Sequence, residues 1–136
     1  MKGAITALDF GDRRIGVARC DATRTVVTPV TVLERRNREY DRSKLGEIIC
    51  QQDSVLLLIG LPLNMDGAEG PQASKVRTEA ALLLHGRPEP VVFYDERLTT
   101  FQADQIKAGG NTNSEGDALA AAVLLEDYVR SEGTGN

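Results

Sequence analysis

Apolar positions alternate from Ala4 to Phe10, with Ile5 and Ala7 facing one way and Thr6 and Leu8 the other, before Gly11 closes the run. That is the period of a strand, and it leaves Asp9 at the strand's C-terminal end. Arg14 to Cys20 repeats the pattern, setting Ile15 and Val17 against Gly16 and Ala18, so the short gap between the two runs predicts a hairpin. Thr25 to Leu33, rich in Val and Thr, predicts a third strand, and Pro29 within it calls for an edge position or a bulge.

From Arg38 the period changes. Arg38 to Gln52 places Leu45, Ile48 and Ile49 on one helical face, and Val55 to Ile59 is a continuous apolar run of the kind buried on both sides of a sheet. After a loop from Gly60 to Pro71, Gln72 to His85 is helical again, with Val76, Ala80, Leu83 and Leu84 as its inner stripe. Val91 to Tyr94 predicts a fifth strand. Thr99 to Lys107 predicts a short helix with Thr99 and Gln102 at capping-box spacing, and a last helix spans Ser114 to Arg130. Three strands followed by alternating helices and strands give an α/β domain, a five-stranded mixed sheet with helices on both faces. The order β-β-β-α-β-α-β-α is the ribonuclease H-like arrangement. The expected domain covers residues 1–130, and the small polar residues 131–136 are expected to be a disordered tail.

Composition narrows the class. With 136 residues and 41% hydrophobic content, one core around one sheet is the natural size. Cys20 and Cys50 have no second Cys or His at zinc-ligand spacing and are expected to be reduced core thiols. The only histidine, His85, is expected at a helix end on the surface. The longest apolar run, Ala118 to Leu125, is far shorter than the roughly 20 residues of a membrane-spanning helix. Met1-Lys2-Gly3 leads directly into strand pattern without the features of a signal peptide, so a cytoplasmic protein without a membrane partner is expected. Net charge is −4, which argues against a protein that holds nucleic acid through bulk positive charge. The charge is uneven, however: residues 1–44 carry ten Lys/Arg against six Asp/Glu, and the remainder six against fourteen. A basic face beside an acidic remainder is one way to bring phosphates over carboxylates.

Three segments far apart in sequence bring acids to comparable positions. Asp9 ends the first strand, Asp95-Glu96 follows the fifth, and Asp117 opens the apolar last helix. Ligands in open α/β sheets bind beyond the carboxyl ends of strands. Hard oxygen ligands of this kind hold Mg²⁺ or Mn²⁺ while leaving sites for water and phosphate, and phosphodiester hydrolysis then requires no serine or cysteine nucleophile. Each acid also has a structural alternative. Asp9 suits the bend at Phe10-Gly11, Asp117 stands in a Ser114-x-x-Asp117 capping box, and Asp95 or Glu96 is within reach of Arg97.

Four blocks change that balance. Ala7-Leu-Asp-Phe-Gly-Asp-Arg-Arg-Ile-Gly-Val-Ala18, Ile59-Gly-Leu-Pro-Leu-Asn-Met-Asp-Gly67, Asp95-Glu-Arg-Leu-Thr-Thr100 and Asp117-Ala-Leu-Ala-Ala-Ala122 resemble, in order and at similar spacing, the signature blocks of the YqgF/RuvX family. The resemblance implies a ribonuclease H-like fold related to Holliday-junction resolvases and a nuclease that matures the 5′ end of 16S ribosomal RNA. It implies Asp9, Glu96 and Asp117 as metal-binding catalytic acids; Asp95 and Glu96 point to opposite faces of an extended strand, so only one readily enters the site, and the resemblance selects Glu96. The implied cofactor is Mg²⁺ or Mn²⁺. The implied partner is nucleic acid, precursor rRNA or branched DNA, with the ribosome as a further partner and a monomer or homodimer as the state. One departure stands out: relatives usually carry lysines before the last aspartate, whereas Ala108 to Gly116 is neutral to acidic here.

Arg13 and Arg14 follow Asp9 closely, and at least one is expected on the rim of the acids, where it would hold a phosphate. The alternative for both is a solvated hairpin turn. Asn64, in the loop with Gly67 at an expected positive φ, is a candidate substrate contact or part of a rigid turn. Competing functions are a Holliday junction resolvase-like DNA endonuclease and a non-catalytic nucleic-acid-binding ribosome-assembly factor. A sugar-kinase-like phosphotransferase is disfavoured, because it needs two such domains.

Overall fold

A computed structural model describes residues 3–96 and 114–134. Its elements are β1 (Ile5–Phe10), β2 (Arg14–Cys20), β3 (Val27–Glu34), α1 (Arg38–Gln52), β4 (Leu56–Leu61), α2 (Pro71–Leu83), β5 (Val91–Asp95) and α3 (Ser114–Thr134). The expected helix at 99–107 lies outside the described residues. The strands form one sheet in the order β3-β2-β1-β4-β5. β1, β2 and β3 pair antiparallel as a meander, while β4 and β5 run parallel to β1. This is the expected mixed sheet, with α1 and α2 on one face and α3 on the other.

Strand alternation sorts side chains into two cores. Leu8, Ile15, Val17, Leu57 and Ile59 pack with Leu45, Ile49, Val76 and Leu83 under α1 and α2. Ile5, Ala7, Ala18, Cys20 and Leu58 pack with Ala121, Leu124 and Leu125 of α3. The predicted inner stripes of both early helices are therefore the buried ones. Pro29 lies in edge strand β3, where Ala18 pairs with Pro29 but Val17 with Thr31, so Val30 is the extra residue of a bulge.

Several boundaries differ from expectation for identifiable reasons. β3 starts at Val27 rather than Thr25, because the Asp21 carboxylate accepts the backbone N–H groups of Thr25 and Val26 at 2.8 and 3.0 Å and holds them in a turn. α2 stops at Leu83, since Gly86 at φ +85° turns the chain out. The tail expected to be disordered from Ser131 is helical to Thr134, and Glu132 there pairs with Arg24. Cys50 is exposed rather than a core thiol, because it stands beside the buried stripe of α1, while Cys20 is buried as expected. His85 is on the surface and Gly67 has φ +89°, both as expected. Among the described residues no helix is long and apolar enough to cross a membrane.

Candidate active site at the carboxyl edge of the sheet

Asp9 has the parity of Ile5 and Ala7 on β1, which places it on the α3 face at the last turn of the strand. Its partner across the hairpin is Gly16. A Cβ on Gly16 would lie 2.1 Å from the carbonyl oxygen of Asp117, so only glycine lets the first turn of α3 rest on the sheet there. Asp9 and Asp117, distant in sequence, are thus brought to adjoining positions by one backbone contact.

Glu96 follows β5 with the parity of Val92 and Tyr94, which belong to the α3 core, whereas Asp95 has the parity of Phe93 on the opposite face. Glu96 is therefore the acid of the pair that shares a face with Asp9 and Asp117. A Cβ on Gly60, at the end of β4 between β1 and β5, would meet Glu96 Oε1 at 3.2 Å and Leu124 Cδ2 at 3.1 Å. The Glu96 carboxylate thus lies over Gly60. β5 is held to α3 by Tyr94, whose hydroxyl donates to Asp127 at 2.6 Å and whose ring meets Tyr128 edge-on at 5.5 Å. Burial, reinforced by Asp127, pushes the Tyr94 hydroxyl up to about 12, so it remains a donor at neutral pH.

The three sequence-predicted acids consequently occupy one face and one edge, all half-buried. Among the described residues, no three Asp, Glu, His or Cys side chains are grouped closely enough to hold an ion. Like charges gathered at one edge repel, and Asp117 has the Arg14 guanidinium at 3.8 Å. The donor chemistry, hard carboxylate oxygens, fits Mg²⁺ or Mn²⁺, and holding an ion requires these side chains to draw together.

Arg14 shares the parity of Gly16 and is the hairpin arginine that reaches the acids; it also bonds Glu34 at 3.3 Å across the β2–β3 ladder. Arg13 is exposed and lines a neighbouring groove of about 640 Å³. Asn64 is not brought to the acids by any described contact. Its backbone closes the loop, donating to Ala68 and accepting from Gly67 at 2.8 Å each, and its side chain lies over Gly70 at the start of α2. Sequence reasoning missed Gly16 and Gly60. The available signal was the small residue at the same parity of adjoining strands, in line with Ala7 and Ala18.

Known proteins share the fold and the family of this chain. Two similar solved structures are Thermus thermophilus RuvC in complex with Holliday junction substrate (TM-score 0.63, 12% identity, 96% of each chain) and the Fowlpox virus resolvase with its substrate Holliday junction DNA (TM-score 0.59, 10% identity, 95% of this chain and 98% of that one). At such identities they bear on fold alone, and the fold is ribonuclease H-like. Proteins bearing the name "Putative pre-16S rRNA nuclease" are similar in sequence. That of Paracoccus denitrificans is 39% identical over 91% of this chain and 82% of its own length. That of Caldanaerobacter subterraneus subsp. tengcongensis is 37% identical over 94% and 96%. The family model described as "RuvX: Holliday junction resolvase" matches residues 3–131, a span that holds the hairpin, all three acids and the glycines beneath them, and the chain belongs to this RuvX (YqgF) family.

Proposed function

We propose that this chain is a metal-dependent nuclease that hydrolyses phosphodiester bonds at the edge formed by Asp9, Glu96 and Asp117, and that its substrate is the 5′ region of precursor 16S rRNA. The observation that carries the reading is the placement of three acids from β1, β5 and α3 on one face, over Gly16 and Gly60, in a chain of the RuvX family. The names of its relatives support the RNA substrate.

Asp9, Glu96 and Asp117 would hold Mg²⁺ or Mn²⁺, which when bound supplies activation of water and neutralisation of charge on the leaving oxygen. The chain's own contribution is positioning. Gly16 fixes the backbone of Asp117 beside Asp9, and Tyr94 anchors the strand that delivers Glu96. Arg14, already next to Asp117, exchanges that carboxylate for a phosphate oxygen when substrate arrives, with Arg13 at the hairpin tip as a second phosphate contact and Asn64 at the outer loop.

A second reading is a Holliday junction resolvase-like DNA endonuclease, favoured by the family description and by the likeness to resolvases. Cleavage of a precursor 16S 5′ fragment and of a four-way DNA junction, each with Mg²⁺ or Mn²⁺, separates the two. Asp9→Asn is the control. Cleavage of neither substrate by wild type would favour a non-catalytic nucleic-acid-binding assembly factor.

A further inference from the structure

Arg13, Arg14, Arg35, Arg36 and Arg38 of the N-terminal third line one groove at the same edge of the sheet as the acids, whereas Arg19 and Arg24 bond the Gln52 and Gly3 carbonyls at the opposite end. Arg14 lines the groove of about 640 Å³ and also stands 3.8 Å from Asp117, so the groove opens directly from the acid edge. Its acids are committed: Asp12 to Lys75 at 2.6 Å, Glu34 to Arg14, and Asp41 and Glu79 to Arg35 at 3.2 and 2.9 Å. Arg35 is also tied to the hairpin, donating to the Gly11 carbonyl at 3.1 Å, and so braces the groove rather than offering a free charge. Arg13, Arg36 and Arg38, all exposed, have no carboxylate partner among the described residues, Arg36 lies over the Tyr40 ring at 4.6 Å, and the lining holds six Lys/Arg against four Asp/Glu.

Arg38 also lines a second groove, of about 770 Å³, between α1 and the end of α2, together with Arg42, His85 and Arg87. Arg38 and Arg42 are one turn apart, about 6 Å along the α1 axis, and so share a face. Arg42 donates to the His85 carbonyl at 2.9 Å and has no carboxylate partner among the described residues. Glu39 is the acid in this lining, and Arg87 is paired with Glu89 at 2.6 Å. The two grooves thus form one path, joined to the acids by Arg14 and to each other by Arg38.

We propose that this path is a backbone track for nucleic acid. A strand whose scissile phosphate lies at Asp9, Glu96 and Asp117 continues across the hairpin tip and along α1, with Arg36, Arg38 and Arg42 on its phosphates. The proposal rests on the nuclease reading and names the surface that holds the flanking substrate. It explains how a chain of net charge −4 with no lysine between Ala108 and Asp117 binds a polyanion: the two grooves hold eight Lys/Arg against five Asp/Glu, so cations are concentrated on one edge.

The test is binding of a fluorescent structured RNA and a four-way DNA junction across a salt series in EDTA, so that neither metal nor turnover contributes. The proteins are wild type, Arg38→Gln/Arg42→Gln, and Lys44→Gln, an exposed α1 charge that lines neither groove. The double variant is expected to bind at least several-fold more weakly, with the salt slope reduced by about 1.4 on single strands or about 1.8 on B-DNA, at unchanged melting temperature. Lys44→Gln is expected to change the slope far less per charge. An unchanged slope in the double variant, or an equal per-charge effect of Lys44→Gln, overturns the track. Wild type that binds through the track but cleaves neither substrate with metal overturns the nuclease reading and leaves the track standing.

Discussion

On the face covered by α1 and α2, the central strands present Leu8, Ile15, Val17, Leu57 and Ile59, whereas at comparable positions on the face covered by α3 they present Ala7, Gly16, Ala18, Leu58 and Gly60. Large side chains hold the first pair of helices away from the sheet and fill the space between. Small ones let α3 approach until the Asp117 carbonyl, in its first turn, rests against Gly16 of β2. The first face supplies apolar burial. The second supplies closeness, and the acids are on it. A carboxylate on a helix reaches one on a strand only where the intervening side chains are nearly absent, so the thinner core is a condition of the site.

Neutralising the acids should give the largest effect. Asp9→Asn, Glu96→Gln and Asp117→Asn should each lower metal-dependent cleavage on the order of 10³-fold or more, and pairs should lose little beyond the first, because the residues act as one unit. Asp95→Asn, on the opposite face, should retain most activity. A single-turnover assay with both substrates decides it, and near-normal turnover in any of the three would remove that residue from the site.

Next in size, the two faces should fail in opposite ways. Leu45→Ala on the first face should cost about 2–5 kcal/mol by leaving a cavity. Gly16→Ala on the second should cost about 3 kcal/mol by forcing α3 off the sheet, and should lose cleavage at temperatures where it is still folded. Gly60→Ala, whose nearest neighbours at 3.1 and 3.2 Å are the ends of flexible side chains, should cost less and act mainly by moving Glu96. Urea unfolding beside activity measures both quantities. Equal tolerance of added methyls on the two faces would dissolve the contrast.

A smaller effect concerns the ion. Millimolar Mg²⁺ or Mn²⁺ should raise the wild-type melting temperature by about 5 °C and should do so far less in Asp9→Asn, since only the native acids gather at that edge. Without metal, Asp9→Asn should be at least as stable as wild type, because one repelling charge is gone. A metal-independent melting curve together with strong destabilisation of all three neutral variants would make the acids structural turn and cap residues.

The smallest effect lies away from both faces. Backbone N–H groups of Val26 and Thr25, then the Thr23 hydroxyl, hold the Asp21 carboxyl far below the usual carboxylate range. A depressed acid contributes stability that is complete above the unfolded Asp range, near pH 4, and is lost as pH falls through the folded value. Asp21→Ala should therefore lower stability at neutral pH and flatten the acid limb of the stability profile. An unchanged acid limb would mean the turn at 21–26 does not depend on the charge.

The amino-acid sequence determined the elements, because strand alternation and helical stripes are local. α1 was legible residue for residue, and the Pro29 bulge followed from a missing N–H. The family blocks singled out Asp9, Glu96 and Asp117 as the candidate acids. The turn at Asp21, the surface position of Cys50 and the helical continuation to Thr134 were not legible, since each depends on partners that a periodic pattern does not contain: amides folded back onto a carboxylate, the orientation of one helix stripe, an ion pair from Arg24 to Glu132. Only the tertiary structure decided which face carries the acids and what joins them to the basic groove. That is a matter of distance between segments, and here it is set by glycines whose missing Cβ atoms leave no mark in a hydrophobic pattern: Gly16 under Asp117 and Gly60 under Glu96.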